Sequence, residues 1–202
     1  MTEEVRLHYD ALIDENNDPF RDPPLLAAYM DKWDGQAFVD LVAPNLRQSV
    51  LEIGVGTGRL AARVAPRGRS LCGIDLSPKT VCRAKENLDG LSNVKIVCGD
   101  FLTYPFAETF DVIYSSLTFM HIREKRQAFE KAAALLKPGG RFVLSIDKNS
   151  ETRLDCGTRV LTLYPDTPQE TEENASAAGF SLAKQASVAF AYLYVFTVKK
   201  RL

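Results

Sequence analysis

The stretch VLEIGVGTGRLAARV at residues 50–64 sets three glycines, Gly54, Gly56 and Gly58, at alternate positions between two apolar segments of different rhythm. Before it, SVLEIGV (49–55) reads as a buried strand; after it, GRLAARVAP (58–66) reads as a helix stopped by Pro66. Bare backbone at a strand-to-helix junction allows a tight turn and lets a ligand touch the main chain. The first N–H groups of the helix then favour an anionic group.

The chain goes on alternating. SLCGIDL (70–76), NVKIVCGD (93–100), FDVIYSS (110–116) and RFVLSID (141–147) read as strands. Between them, Ser77 caps a helix with Pro78 at its first position, and REKRQAFEKAAALL (123–136) forms another, ended by Pro138-Gly139-Gly140. Strand and helix at this spacing predict βαβ units, a doubly wound parallel sheet with helices on both faces. In the tail, a helix over 168–178 precedes two strands, 181–188 and 192–200, joined too closely for a parallel crossover and so antiparallel. Upstream, 24–46 suggests two helices broken at Gly35, whereas 1–23 shows no steady periodicity and DENNDPFRDPP is rich in turn formers. One domain over 1–202 is expected: a helical cover (1–46), a ligand-binding core (47–147) and a C-terminal helix with its strand pair (148–202), which includes an insert at 148–167.

Bulk chemistry narrows the function. A net charge of −1 and a pI near 6.2 give no general attraction to nucleic acid or anionic membrane. No apolar run is long enough for a membrane span. The start, MTEEVRLHYDAL, has acids where an export signal needs a basic segment, so a cytoplasmic protein is expected. Residues 1–49 carry −6 and the remainder +5; the acidic cover mildly suits a cationic acceptor, although a solvated acidic face explains it as well. Four cysteines without a C-x-x-C and only two histidines argue against a disulfide framework or a zinc site. Cys72 and Cys98 read as buried strand residues.

Ligands of open parallel sheets bind beyond the carboxyl ends of the strands, where the glycines fall. The dinucleotide pattern G-x-G-x-x-G would need glycine at 59, which is Arg59. Glu52 at the strand's mouth would repel a pyrophosphate but serve a ligand bearing an ammonium group. Asp75 ends the second strand, where a carboxylate can take both hydroxyls of a ribose. Asp100, with Phe101 beside it, ends the third, near where an adenine would lie. Each acid alone could equally cap a helix; their succession at three strand ends favours a nucleoside carrying an amino acid.

The segments VLEIGVGTG, GIDLSP, VCGDF, FDVIYSS and LLKPGGRFVLSID, in this order over 50–147, closely resemble the class I S-adenosylmethionine-dependent methyltransferases. The resemblance implies a Rossmann-like seven-stranded sheet, mostly parallel with the last strand antiparallel. It implies S-adenosylmethionine as methyl donor and S-adenosylhomocysteine as product. It also implies roles by position: Gly54, Val55, Gly56, Thr57 and Gly58 around the methionine half with Glu52 near its amino group, Asp75 and Leu76 at the ribose, Asp100 and Phe101 at the adenine, and Ser115 or Ser116 under the sulfonium.

A sulfonium is already activated, so positioning and desolvation carry methyl transfer; an amine or thiolate acceptor needs no base, a hydroxyl does. His121, in SLTFMHIREK, is the candidate base, against a plain capping role. His8 and Tyr9 in the cover, Tyr29 and Trp33 on its helical stripe, and Asp147, Lys148 and Asn149 after the fifth strand are candidates for lid or acceptor contacts, with packing or a solvated loop as the alternative. The Asn/Asp-Pro-Pro-aromatic motif of base-methylating relatives is replaced here by SSLTFM, and the only basic cluster is the terminal KKRL. A small-molecule acceptor is therefore expected, with no nucleic acid, membrane or metal. The alternatives are a non-catalytic S-adenosylmethionine-binding module, a macromolecular acceptor, or an NAD-dependent oxidoreductase.

Overall fold

The structure, a computed structural model, describes residues 2–198; the basic cluster KKRL at 199–202 lies outside the described residues. Seven strands form one sheet in the order β3-β2-β1-β4-β5-β9-β8. They are β1 (Ser49–Ile53), β2 (Ser70–Asp75), β3 (Val94–Cys98), β4 (Phe110–Ser116), β5 (Leu136–Asp147), β8 (Phe180–Ser187) and β9 (Ala191–Val198). β1 to β5 pair in parallel, and β9 runs antiparallel between β5 and β8. The expected sheet, with its last strand reversed, is what the chain forms.

Strand alternation puts Val50 and Leu51 on opposite faces, each in its own core. Over the first face lie α3 (Gln36–Val42), α4 (Arg59–Val64) and α5 (Pro78–Asn87), which contribute Phe38, Leu60 and Val81, with Leu88 just past the end of α5. Over the second lie α6 (Lys125–Leu135) and α7 (Pro168–Ala177), with Phe129, Phe142, Phe180 and Phe196 in one aromatic cluster. The order switches direction between β1 and β4, and their carboxyl ends open a crevice there.

Four features depart from the sequence reading. Residues 1–23 include a full helix, α1 (Glu3–Asp14), capped by Thr2 and with Glu3 and Glu4 in its first turn, where the helix dipole favours acids. Its buried side includes His8 and Asp10 besides Val5, so its inward stripe is too polar to register as hydrophobic periodicity. The insert after β5 is a hairpin, β6 (Arg153–Asp155) with β7 (Val160–Thr162), whose Leu161 packs with Leu163 and Val5 of α1. Pro138-Gly139-Gly140 is no free turn: α6 runs straight into β5, and the strand absorbs the residues as a bulge, its pairing jumping from Phe110↔Leu136 to Val112↔Arg141. Finally, Cys98 is exposed, because β3 is the sheet's edge strand; Cys72 on the inner strand β2 is buried as expected.

Among the described residues no helix is long and apolar enough to cross a membrane.

Candidate active site

A cavity of about 180 Å³ lies where the carboxyl ends of β1, β2 and β4 meet the cover, which is α1, Pro19 and the end of α2 (Pro24–Asp34). The glycine loop forms its floor. Gly54 stands where an added Cβ would come within 1.9 Å of Thr118 Oγ1, so the first glycine is required by the loop after β4 pressing against it. Gly56, at φ +56°, has nothing within 4 Å of its would-be Cβ and leaves backbone bare on the open side. Its N–H donates to Asp75 Oδ2 at 3.0 Å, and Ser77 N–H donates to Oδ1 at 3.0 Å. Burial raises the Asp75 carboxyl above its ordinary range, opposed by those two amides and by that of Leu76. These backbone donors leave this carboxylate with acceptor capacity for further hydroxyls.

Glu52 faces the first core side, 3% exposed, and accepts from the Tyr114 hydroxyl at 2.6 Å. Burial pushes its carboxyl up to about 8, with Tyr114 and then Arg59 pulling the other way. A buried acid that changes charge near neutrality is well placed to meet an incoming cation. Beside it, Arg59 Nη2 holds both oxygens of Asp34 at 2.7 Å, and Ser116 Oγ donates to Asp34 Oδ2 at 2.6 Å. Thr57 Oγ1 accepts from Phe20 N–H at 3.2 Å, tying the loop to the cover.

On the other wall, the turn Phe119–His121 carries His121, 3% exposed, with Nε2 at 2.8 Å from the Tyr9 hydroxyl; Nδ1 is buried without a hydrogen bond. Burial, with His8 and Lys125 acting electrostatically in the same direction, lowers the imidazole to about 4, so the ring is neutral at pH 7. Burial likewise raises the Tyr9 phenol. Lys125 fixes this turn from behind, donating to the Tyr164 carbonyl at 2.7 Å and pairing with Asp166 at 2.9 Å. Leu117, between β4 and the turn, takes φ +52°, a strained setting for a leucine, and lines the cavity.

Of the residues singled out from sequence, Glu52, Gly54, Val55, Gly56, Thr57, Asp75, Leu76, Ser116, Tyr9 and His121 all line this cavity. Ten others do not, among them Lys148, Asn149 and His8, whose Nδ1 accepts from Arg159 Nε at 3.0 Å. Gly58 starts α4 against Leu88. Phe101 is fully buried beside Phe106 in the second core, on the far side of the sheet. Asp100 accepts from Leu102 N–H at 2.9 Å in a turn of its own loop, with no helix after it to cap. Ser115 is buried and donates to the Ile53 carbonyl at 2.9 Å, because its neighbour Ser116 takes the cavity side. Trp33 and the exposed Tyr29 pack on Phe190, as the packing alternative had it. Asp147 turns its own loop by accepting from Asn149 N–H at 2.9 Å. The sequence reading missed Asp34, Arg59, Tyr114 and Thr118. Only Arg59 carried a signal, as the residue that breaks the dinucleotide pattern.

Among the described residues no group of His, Cys, Asp or Glu could hold a metal ion. What the crevice offers is bare backbone, a buried and a half-buried acid at successive strand ends and a neutral His–Tyr pair, held on a methyltransferase-type sheet. Residues 50–140 match the model of the methyltransferase domain family, and the chain belongs to that family, in its class I form. It is 35% identical over 140 residues to an uncharacterised methyltransferase of Geobacillus kaustophilus, covering 68% of this chain and 60% of the relative's length. In fold it is similar to the N-methyltransferase NodS of Bradyrhizobium japonicum, solved with S-adenosyl-L-homocysteine, at TM-score 0.75 and 17% identity over 98% of this chain and 100% of that one. It is equally similar to the [4+2]-cyclase SpnF, at TM-score 0.75 and 20% identity over 97% and 96% of the two chains.

Proposed function

We propose that this protein transfers a methyl group from S-adenosylmethionine to a small-molecule acceptor in the cytoplasm. The observation that carries the reading is the cavity wall itself: Glu52, the open backbone at Gly56 and Asp75 follow one another along the crevice in the order of an ammonium, a chain and a ribose. The sulfonium, when bound, supplies an activated methyl group that leaves by in-line displacement. The chain's own contribution is to hold and to exclude water. Glu52 meets the ammonium, Asp75 accepts from ribose hydroxyls, and Ser116 and Leu117 form the wall toward the reacting end. The cavity of about 180 Å³ is below the ~300 Å³ at which ordinary ligand pockets begin, so the cover opens for ligand entry and exit.

His121 and Tyr9 orient the acceptor. An imidazole whose conjugate acid titrates near 4 is a weak base at pH 7. The pair therefore suits an acceptor that arrives as its own nucleophile, such as an amine, carboxylate or thiolate, rather than a neutral alcohol. SSLTFM in place of the Asn/Asp-Pro-Pro-aromatic motif, and a net charge of −1, favour a small acceptor over a duplex.

The relationship to SpnF, named as a cyclase, keeps a second reading in view: this fold also serves chemistry other than methyl transfer. The test is transfer of labelled methyl from S-adenosylmethionine to pooled amines, carboxylates and thiols, with RNA and protein pools alongside. Label in a small acceptor is expected. Label only in a macromolecular pool would overturn the acceptor class, and tight cofactor binding without transfer to any pool would favour the second reading.

A further inference from the structure

Arg59 stands one residue into α4, at the end of the cavity shared with Glu52. Its side chain is 16% exposed, and its guanidinium is used unevenly. Nη2 alone serves both oxygens of Asp34, while Nη1 is buried, makes no hydrogen bond and lies 3.5 Å from Asp31 Oδ1. Asp34 is 1% exposed, closes α2 and is held a second time by Ser116. Nη1 thus has an ion-pair neighbour in Asp31 but no hydrogen bond, and a buried guanidinium N–H left without one suits a carboxylate. The carboxylate Asp34 is supplied by the cover, whereas Arg59 belongs to the core.

We infer that Arg59 binds the carboxylate of the ligand's α-amino-acid end, and that Asp34 is the positioning residue that aims Arg59 and balances its charge beside the ligand's ammonium. The inference rests on the cofactor site proposed above. An amino-acid end is a zwitterion, and this end of the cavity matches it pole for pole: Arg59 for the carboxylate, Glu52 with Asp34 for the ammonium. Removing either member of the pair leaves one pole of the ligand against an unbalanced buried charge. Because Asp34 ends α2, engagement of the amino-acid end also latches the cover.

The experiment compares two ligands by calorimetry: S-adenosylhomocysteine, which has the amino-acid end, and 5′-methylthioadenosine, which lacks it. Arg59→Met and Asp34→Asn are each expected to weaken S-adenosylhomocysteine by about tenfold or more while changing methylthioadenosine less than about twofold. Retained methylthioadenosine binding certifies a folded site. Arg59→Lys, which keeps the charge but not the fork, should recover part of the loss. Equal losses for both ligands would make the pair merely structural and overturn the inference. Tighter S-adenosylhomocysteine binding by Asp34→Asn would show Asp34 to be a competitor of the ligand and overturn its positioning role. Gly56→Val separates the two levels: it should weaken both ligands, and if it weakens neither, the site itself is misplaced whatever Arg59 does.

Discussion

Replacing Glu52 by glutamine should remove most of the fall in stability that the protein shows between mildly acidic and mildly alkaline pH. The carboxyl is 3% exposed, and its pKa rises from 4.5 in the unfolded chain to about 8 in the fold, chiefly through burial. Between those values the folded protein keeps a proton that the unfolded chain has released. The stabilisation is therefore fully present below about pH 4.5 and is lost progressively as pH rises through 8. At 1.36 kcal/mol per pH unit, a span of that width is worth on the order of 5 kcal/mol. Glutamine retains an acceptor for the Tyr114 hydroxyl and has no proton to lose. Thermal melts of both proteins across pH 5–8.5 read the effect. The variant's lead in melting temperature should grow with pH, reaching about 10–20 °C at the alkaline end for a chain of this size. The same variant should bind S-adenosylhomocysteine more weakly toward the alkaline end, where the wild-type carboxyl can ionise to meet the ammonium, and the gap should narrow as pH falls below about 8. Parallel melting curves for the two proteins would refute the reasoning.

Other outcomes follow from the same geometry. Asp75→Ala should weaken S-adenosylhomocysteine by about 1.5–3 kcal/mol in a titration, since hydrogen bonds to a charged acceptor are lost; it should also lower the melting temperature, because the Gly56 and Ser77 amides lose their partner. Lys125→Met breaks a pair whose acid, Asp166, is 6% exposed, and should cost about 3 kcal/mol in denaturant unfolding. His121→Ala should leave S-adenosylhomocysteine binding nearly unchanged and slow methyl transfer once an acceptor is in hand, a split that binding and turnover assays on one preparation would read.

Most of the sheet was legible because its signals are local. Apolar runs bounded by glycine and proline gave β1, β2, β4 and the reversed β9, and Ser77-Pro78 gave the start of α5. The glycine loop with Glu52 and Asp75 was legible for the same reason: strand ends in a parallel sheet have a fixed place. What failed depended on packing. α1 hides its helical stripe behind His8 and Asp10, which are buried by pairing rather than by apolarity; Asp10 accepts from the Ser77 hydroxyl at 2.6 Å. Phe101 and Ser115 were assigned to the site by position, yet the first turns into the second core and the second spends its hydroxyl on the Ile53 carbonyl. Asp34 and Arg59 meet across 25 positions of sequence, and no local pattern announces such a pair.

The most direct test of the account is a thermal melt with S-adenosylmethionine, S-adenosylhomocysteine and NAD in separate samples. A ligand at one hundred times its dissociation constant stabilises the fold by about 2.7 kcal/mol, which for a chain of this size is a rise of about 5–10 °C. That rise is expected with both adenosyl-sulfur compounds, and none with NAD. A rise with NAD alone, or none with any of the three, would contradict it.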